Sequence, residues 1–476
     1  MKRLWILAVG ALFGTTTVLA QQHAVEMIAT RADGAPIQWQ DEAGQQERIR
    51  VNVNLAFNEK GRRAFLGTPY ITPAEDGKNG SFRIEMGGYT ADSYTFYAIA
   101  PYNGWFAQHE RESAAARIRL VLPTEQTASA TACDPKARLL FAKSEPMTDL
   151  SGAVTMPFRH VTAYGCLNLK GVSGKIRQVI IQGGRENLSG RANFDAERGT
   201  MIPTSAVDAK NVAWKRICVN TASEDVWFAT YPTNLTGKMM LVCVIFEDGS
   251  YWVKQHKFRE GEGEFRAGSV TAFTVDFGAS NTRKYPPLAL YKEDGEVKGV
   301  RYWISENGKT AKVVSLKRCE ATPWCVDRDG VEVTEATDAN DTSHDGKINW
   351  KTLTKWISAH KYYKLPIYDF CANLGEGWYW ANQNELRDLG FAYKFMSDLF
   401  DALLTESGGD ALNAGSDADG DKLGDRYWSS REGVGEKTNR AYWVRMDIGE
   451  EALNNAGKER SYFGRAIKVI SMKEAK

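Results

Sequence analysis

Short runs of alternating apolar and polar residues dominate the first part of the chain. Apolar side chains occupy every second position from Ile49 to Phe57, and Arg117–Leu122 alternates in the same way. A period of two residues predicts half-buried β-strands. Other strand-like runs lie between turn-forming residues at Ser93–Pro101, Leu139–Ala142, Ala153–Phe158 and Tyr164–Leu169. This spacing predicts a β-sandwich over residues 49–170, preceded by a loose polar leader over residues 21–48.

A second set of strand-like runs begins after Lys170. Its members are Ile176–Gln182, Arg191–Phe194, Val226–Tyr231, Met240–Phe246, Tyr251–Phe258 and Val270–Phe277. The Asp248-Gly249 pair between two of these runs is typical of a β-hairpin turn. Since the sequence shows no long helical periodicity between Ile49 and Phe277, a second β-sandwich is predicted over residues 171–282.

The pattern changes after a linker predicted at residues 283–288, where a proline pair cannot join a strand ladder. Trp350–Lys361 is amphipathic at helical spacing. A second helix is predicted from Asn382, which can cap it together with Glu385 three residues later. Because strands lie on both sides of these helices, residues 289–476 are predicted to form one α+β domain.

Two aromatic stretches are predicted to form the frame of this C-terminal domain. Leu374–Gly390 joins a strand to the capped helix, and Arg426–Glu432 places two large aromatics beside two serines. The loop region between them, Thr405–Asp425, is the predicted binding surface. The predicted fold class is therefore mainly β, with two tandem β-sandwiches and a C-terminal α+β domain.

Charge and the N-terminal residues limit the cellular role. The 60 Lys and Arg residues balance 59 Asp and Glu residues, which argues against nucleic acid as a partner. Residues 1–20 combine a basic start, an apolar run and small residues, so a signal peptide cleaved after Ala20 is predicted. No cysteine lies at that site, and no later apolar run reaches the length of a membrane helix. The chain is therefore expected to be exported.

The seven cysteines leave at least one without a partner inside the chain. The predicted buried thiols, which lie in apolar strand-like runs, are Cys166, Cys218 and Cys243. Cys319, Cys325 and Cys371 either form a bridge, which an oxidising compartment permits, or stay as thiols. Since they lack the CxxC and HxxxH spacings, no zinc site is predicted.

One acidic, glycine-containing loop holds Asp417, Asp419, Asp421 and Asp425. Alternating carboxylates suit Ca²⁺, so these four are the candidate calcium ligands. A solvated polar turn is the favoured alternative, because no bidentate glutamate follows at EF-hand spacing. Asp341–Thr352 has the glycine of an EF-hand loop but ends in threonine, and it is predicted to be a turn before a helix.

The sequence predicts no catalytic residue and no cofactor other than the candidate Ca²⁺. It holds no GxSxG, HExxH or phosphate-binding glycine loop, and its six histidines are scattered. His160, at the end of a predicted strand, is expected to be a hydrogen-bonded structural residue. We therefore expect that the chain is not an enzyme.

Several segments of the first two predicted domains resemble the Bacteroidetes fimbrillins. In chain order they are Leu139–Lys143, Val154–Phe158 with His160, Asn187–Asp195, Val226–Pro232 and Phe265–Phe277. The resemblance implies two transthyretin-like β-sandwiches that assemble by strand exchange after a protease removes an N-terminal strand. Arg31, Arg48 and Arg50 are the candidate sites of a trypsin-like maturation cut. They are alternatively ordinary surface arginines, and the sequence does not choose among them.

The final third resembles bacterial C-type-lectin-like domains. The matching segments are Gly299–Leu316, Asp345–Asn349, Gly377–Leu386, Tyr427–Ser430 and Arg465–Ile467. Trp380-Ala381-Asn382 replaces the usual Leu-Pro-Ser, and the sugar- and calcium-binding motifs of true C-type lectins are missing. Fimbrillin-like domains followed by such an end resemble the minor tip or accessory subunits of major fimbria.

That resemblance implies an adhesive subunit of a fimbrium at the outer membrane and cell surface, with expected roles in virulence and biofilm formation. The implied partners are other fimbrial subunits and host extracellular matrix proteins or surface glycans. Because the C-terminus belongs to an extra domain, the subunit is expected to accept a strand and to donate none. One alternative is a free glycan-binding lectin. Another is an enzyme on the fold of formylglycine-generating proteins, whose reactive cysteine pair is missing after Cys371.

Overall fold

The computed structural model describes residues 24–31, 50–57, 60–75, 79–102, 105–106, 117–184, 186–202, 215–333, 335–413, 426–446 and 454–472. Most of the regular structure in these ranges consists of β-strands, and their three α-helices all begin after residue 346. The predicted mainly β fold class, with helices only towards the C-terminus, is therefore confirmed.

The strands up to residue 276 alternate with turns, with one 3-10 segment at Pro135–Ala137. In chain order they are β1 (Ala24–Arg31), β2 (Arg50–Phe57), β3 (Lys60–Gly67), β4 (Thr72–Pro73), β5 (Gly80–Glu85), β6 (Ser93–Ala100), β7 (Trp105–Phe106), β8 (Arg117–Leu122), β9 (Glu125–Thr127), β10 (Leu140–Lys143), β11 (Val154–His160), β12 (Ala163–Lys170), β13 (Ile176–Gly183), β14 (Gly190–Asp195), β15 (Thr200–Ile202), β16 (Arg216–Asn220), β17 (Asp225–Thr230), β18 (Thr233–Asn234), β19 (Met239–Phe246), β20 (Tyr251–Lys257), β21 (Glu264–Phe265) and β22 (Val270–Asp276).

The remaining elements mix strands with helices. They are β23 (Arg283–Tyr285), β24 (Ala289–Glu293), β25 (Glu296–Ile304), β26 (Thr310–Ser315), β27 (Cys319–Thr322), β28 (Val326–Asp327), α1 (Lys347–Ala359), β29 (Tyr363–Lys364), α2 (Pro366–Asn373), β30 (Trp378–Trp380), α3 (Gln383–Glu406), β31 (Arg426–Glu432), β32 (Arg440–Arg445), β33 (Asn454–Gly457), β34 (Tyr462–Gly464) and β35 (Ala466–Ser471). A 3-10 segment also spans Gly435–Lys437.

By its backbone contacts the chain divides into two compact units. Among the described residues, unit 1 comprises those within Met1–Lys170, Ile181–Leu241 and His256–Asp276, and unit 2 those within Gly171–Ile180, Val242–Gln255 and Phe277–Lys476. These limits differ from those of the three predicted domains, which stay a prediction.

An eight-stranded sheet of unit 1 has the order β3-β2-β6-β10-β11-β1-β5-β4. Strand β1 lies inside this sheet, antiparallel to β5 and parallel to β11. Val25, Met27 and Ala29 are fully buried in a core cluster with aromatic side chains of β5, β6 and β11. The predicted leader is therefore not loose throughout. The sequence pattern missed this strand because Ile28, an apolar residue, points to the exposed side and blurs the alternation.

A second core cluster of unit 1 joins strands on both sides of Lys170. Strand β8 pairs antiparallel with β14, from Gly190 opposite Leu122 to Asp195 opposite Arg117. Phe141 of β10 packs edge to face against Phe194 of β14, with ring centroids 5.0 Å apart. Strand β12 lies between β17, antiparallel, and β22, parallel.

Unit 2 contains two five-stranded sheets, β24-β25-β26-β35-β30 and β27-β34-β31-β32-β33, and the three helices. Trp324, Trp380 and Trp428 are fully buried in its core. Their indole N–H groups donate to backbone carbonyls, as from Trp380 Nε1 to Trp428 O at 2.9 Å. Buried indoles with satisfied donors add apolar area without an unpaired polar group. The C-terminal part is therefore an α+β structure, as predicted.

The segment predicted as a linker is in part a strand. Arg283–Tyr285 pairs antiparallel with β20, with Tyr285 opposite Tyr251. The two tyrosine rings are stacked with centroids 4.9 Å apart, and both side chains are buried. The proline pair comes after this strand, so the ladder keeps its N–H donors.

The two aromatic stretches have the local structure that the sequence predicts. Asn382 Oδ1 accepts from the Glu385 N–H at 3.0 Å, and Glu385 Oε2 accepts from the Asn382 N–H at 3.3 Å, which completes a capping box. An apolar stripe of α3 is buried at Leu386, Leu389, Phe400 and Leu404. Leu399 does not belong to this buried stripe and is 46% exposed, since the helix departs from helical geometry at Met396.

Candidate functional site

Most of the predicted site residues lie outside the described residues. These are the signal-cleavage residue Ala20, the candidate maturation residue Arg48, and the candidate calcium ligands Asp417, Asp419, Asp421 and Asp425. Within the described ranges, no three His, Cys, Asp or Glu residues are grouped so that they could hold a metal ion. The calcium site stays a prediction.

Arg31 and Arg50 have defined places in the backbone. Arg31 is the last residue of β1, and Arg50 is the first residue of β2. A trypsin-like protease cuts after arginine, so a cut at Arg31, Arg48 or Arg50 would separate β1 from the rest of the chain. A cut near Arg48 would therefore release an interior strand of the sheet together with the segment that follows it.

The groove that β1 occupies has two ladders and an apolar floor. Six residues of β1 pair with β5, from Ala24 opposite Glu85 to Ala29 opposite Gly80. Five residues pair with β11, from Met27 opposite Val154 onward. Without β1, both neighbouring strands would present unpaired N–H and C=O groups, which is the condition for pairing with another strand.

The C-terminal strand β35 is held on both sides. It pairs with β26 from Thr310 opposite Ser471 to Val314 opposite Ile467, and with the aromatic strand β30. Arg465, directly before β35, is fully buried and donates to Ser315 O at 2.7 Å and Leu316 O at 2.6 Å. Releasing β35 would open the sheet in its interior and leave a buried guanidinium without its acceptors.

Two predicted structural roles are confirmed. His160 is buried, and its Nδ1 lies 2.5 Å from the Tyr164 hydroxyl. In the loop that resembles an EF-hand, Asp341 Oδ2 accepts from the Ser343 N–H at 2.9 Å, and α1 begins at Lys347. The loop is therefore a turn before a helix, as predicted.

The described residues include all seven cysteines, and no disulfide joins any of them. The alternative of thiols at Cys319, Cys325 and Cys371 is therefore the one this structure shows. Burial raises the pKa of Cys319 to about 11 and that of Cys325 to about 12. Burial also raises the pKa of Cys371. Such thiols are protonated at neutral pH and are poor nucleophiles.

A cleft in unit 2 was not predicted from the sequence. It has a volume of about 660 Å³, and its walls come from Thr282–Pro286, Trp303–Glu306, His344 and Asp388. Three of these side chains form one charged group: Asp388 lies 3.1 Å from Arg283 Nη1 and 2.9 Å from His344 Nδ1. No local motif joins residues so far apart in the chain, so periodicity and spacing could not reveal the cleft.

The helices in the described part of the chain were also compared with membrane spans. None of them combines the length and the apolar character that a membrane-spanning helix needs.

The comparisons with known proteins found only weak structural similarities. No family model and no curated protein matches the chain. A proposed cell-adhesion protein from Bacteroides uniformis is 16% identical, covers 55% of this chain and 95% of its own, and has a TM-score of 0.36. A fimbrial protein from Bacteroides ovatus is 13% identical, covers 94% and 99%, and has a TM-score of 0.26.

A fimbrial protein from Bacteroides vulgatus is 10% identical, covers 55% of this chain and 97% of its own, and has a TM-score of 0.28. At such identities and TM-scores, the likenesses carry no conclusion about this chain.

Proposed function

We propose that this chain is an adhesive accessory subunit of a fimbrium, which exchanges β1 for a strand of another subunit. The observation that carries the proposal is the place of β1, an interior strand that ends at the candidate cleavage residue Arg31 and precedes the other two, Arg48 and Arg50. A cut there would let β1 leave and would open a groove between β5 and β11 in the interior of the sheet. A donated strand closes the groove again with main-chain hydrogen bonds on both sides.

The groove also defines what a donor strand must supply. Val25, Met27 and Ala29 fill the core side of β1 at alternate positions and are fully buried. A replacement strand therefore needs apolar side chains at alternate positions over the same length, because one face enters the core. We expect other fimbrial subunits to provide it.

The places of β1 and β35 support a position at the tip of the fimbrium. The groove of β1 can receive a strand, whereas β35 is committed to the interior of a sheet in unit 2. A subunit that accepts a strand and donates none ends a polymer. The subunit would then act as an exported, non-enzymatic adhesin, with host matrix proteins or surface glycans as its ligands.

The proposal is tested by asking whether mature fimbriae contain β1. The triple variant Arg31→Ala, Arg48→Ala, Arg50→Ala should keep its N-terminal segment and stay out of fimbriae. The wild-type chain should lose β1, which N-terminal mass spectrometry detects. The exposed Arg198, with 83% of its side chain accessible, gives the matched control Arg198→Ala, which should be incorporated normally.

Two results would contradict the proposal. One is incorporation of the triple variant at the wild-type level with β1 still attached. The other is cross-linking of the chain within the shaft to a subunit on each side, since that requires donation of a strand as well as acceptance.

A further inference from the structure

The solvent side of α1 carries a line of positive charge. Lys347, Lys351 and Lys355 recur at every fourth residue, so they share one side of the helix, which we call the lysine face. The buried residues of α1, Asn349 and Leu353, define the opposite side. Lys351 and Lys355 are exposed, and Lys347 is half-buried. Successive lysines are about 6 Å apart along the helix axis.

No acidic side chain balances this charge. The helix α1 contains no Asp or Glu, and none of its three lysines forms an ion pair with a residue that the structure describes. The acid that precedes the helix, Asp345, accepts from the backbone N–H of Lys347 at 3.1 Å. The lysine face is therefore a surface of one charge sign, which is complementary to an anionic partner.

The same arrangement works against the local stability of the helix. Like charges four residues apart repel each other, and a cation in the first turn opposes the helix dipole. Gly346 at the N-cap supplies no side chain that could cap this turn. A pattern that breaks these local rules without a compensating contact in the fold points to a role in binding.

Hydroxyl oxygens extend the lysine face towards the end of the helix. Thr354 and Ser358 are exposed, and helical spacing puts them beside Lys351 and Lys355. Their hydroxyls donate to Trp350 O and Thr354 O, each at 2.8 Å. The hydroxyl oxygens therefore act as acceptors, and the one that also accepts from the Tyr368 hydroxyl at 3.0 Å keeps a second lone pair. The face thus offers ammonium donors for anions and acceptors for hydroxyl groups.

The aromatic side chains of α1 are engaged within the fold. Trp350 is half-buried and stacks on Tyr368 with ring centroids 4.2 Å apart. Trp356 is also half-buried and stacks on His360 with centroids 4.6 Å apart. Single-stranded nucleic acids bind by stacking their bases on accessible rings. The lysine face therefore favours an anionic partner that is rich in hydroxyl groups over one that is rich in bases.

We propose that the lysine face of α1 binds a heavily sulfated glycosaminoglycan chain that lies along the helix. A sugar unit of a linear polysaccharide is about as long as one helical turn, about 5.4 Å. A lysine on each turn therefore matches a chain with a negative charge on nearly every sugar. Among the acidic polysaccharides of an animal extracellular matrix, sulfated chains have this charge density, whereas hyaluronan carries a carboxylate only on alternate sugars.

The inference rests on the adhesive role proposed above, for which it names the ligand class. It assigns the contact to α1 and not to the predicted binding loop Thr405–Asp425. Because the contact consists of exposed ion pairs, it should weaken as added salt screens them.

The test is fluorescence anisotropy with the purified chain and a labelled heparin dodecasaccharide in about 150 mM salt. The same oligosaccharide after chemical desulfation and a hyaluronan dodecasaccharide are the matched controls. Binding to heparin should be at least about tenfold tighter than to either control. It should also weaken between about 50 and about 300 mM salt.

A triple variant locates the binding on α1. It replaces the three lysines by glutamine: Lys347→Gln, Lys351→Gln and Lys355→Gln. Each exposed ion pair contributes about two- to threefold, so the triple variant should bind heparin about tenfold more weakly. Glutamine has nearly the helix propensity of lysine, so the variant should fold, which circular dichroism can check.

A second triple variant controls for the loss of net charge. It removes three exposed lysines at other positions of unit 2: Lys292→Gln, Lys309→Gln and Lys437→Gln. Since these positions lie outside α1, heparin binding should stay within about twofold of the wild type.

The proposal is overturned if heparin does not bind, if a control oligosaccharide binds as tightly, or if the control variant loses as much affinity as the α1 variant. Equal binding of single-stranded DNA with the same number of charges would also overturn it. None of these outcomes bears on fimbrial incorporation, which depends on β1 in unit 1. Conversely, a chain that binds heparin but is absent from fimbriae would contradict only the proposed assembly.

Discussion

The buried face of β1 makes the most direct prediction about assembly. Met27 is fully buried, in register with Phe82 of β5 on one side and Val154 of β11 on the other. Met27→Ala should loosen β1 in its groove, because it removes core contacts while leaving both ladders intact. Glu26→Ala, one residue away on the exposed face, is the matched control.

The expected size follows from this burial. Truncating a fully buried methionine to alanine costs about 2–5 kcal/mol. A short strand can shift to fill part of the space, so we expect about 2–3 kcal/mol for Met27→Ala. That corresponds to a change of about 30- to 150-fold in the equilibrium between β1 paired in its groove and β1 released from it. Glu26→Ala should stay within about 0.5 kcal/mol, as exposed positions do.

Hydrogen exchange measured by mass spectrometry can report this opening. Amides of β5, in a peptide covering Gly80–Glu85, should exchange about 30-fold or more faster in Met27→Ala than in the wild type. Amides of β25 in unit 2, Glu296–Ile304, should not change. After a cut at Arg31 and release of β1, the variant and the wild type should exchange alike. Equal exchange of Met27→Ala and Glu26→Ala in the uncut chain would refute the burial argument.

Three further predictions concern unit 2. Glu432→Ala should lower the free energy of unfolding by about 3–5 kcal/mol in denaturant titration, because it leaves the fully buried Lys458 without its ion-pair partner. Asn382→Ala should cost about 1–2 kcal/mol by the same measurement, since it removes the cap of α3. Histidine NMR titration should find the pKa of His344 above its ordinary 6.5, and Asp388→Asn should lower it. The stability that the Asp388 carboxylate adds by binding protonated His344 is fully present below pH 6.5, and it is lost as the pH rises through the folded-state pKa of His344.

Matched variants test each of these reasons separately. Glu296→Ala breaks the exposed pair with Lys298 and should cost much less stability than Glu432→Ala, so equal losses in the two variants would contradict the burial argument. Asn382→Ser keeps a capping oxygen and should retain most of the stability that Asn382→Ala loses. An unchanged titration of His344 in Asp388→Asn would show that the carboxylate does not act on the imidazole.

The local features of the fold were predictable from the sequence. The alternating run at Ile49–Phe57, the hairpin turn at Asp248-Gly249 and the capping box at Asn382 all correspond to observed elements. Each depends on residues within one strand, one turn or one helical turn of each other. Such patterns survive in any tertiary context that keeps the element.

The strand β1 could not be predicted from local patterns. Its segment contains an exposed Ile28 and a small buried Ala29, so its alternation is weak. Its place in the sheet depends on Val154–Phe158, far away in the chain, which supplies the neighbouring ladder. Pairing between distant segments is decided by the packing of the whole sheet, and no local pattern encodes it.

The sequence by itself determined many of the strands, the helices α1 and α3, the residue at which α3 begins, and that the chain is mainly β with a C-terminal α+β part. Only the tertiary structure decided that β1 is an interior strand, that β35 is locked between β26 and β30, and that Arg283, Trp303, His344 and Asp388 line one cleft. The physical reason is the distance along the chain over which each kind of interaction acts. Side-chain periodicity and capping act over a few residues, whereas ladders, buried ion pairs and clefts form between residues that only folding brings together.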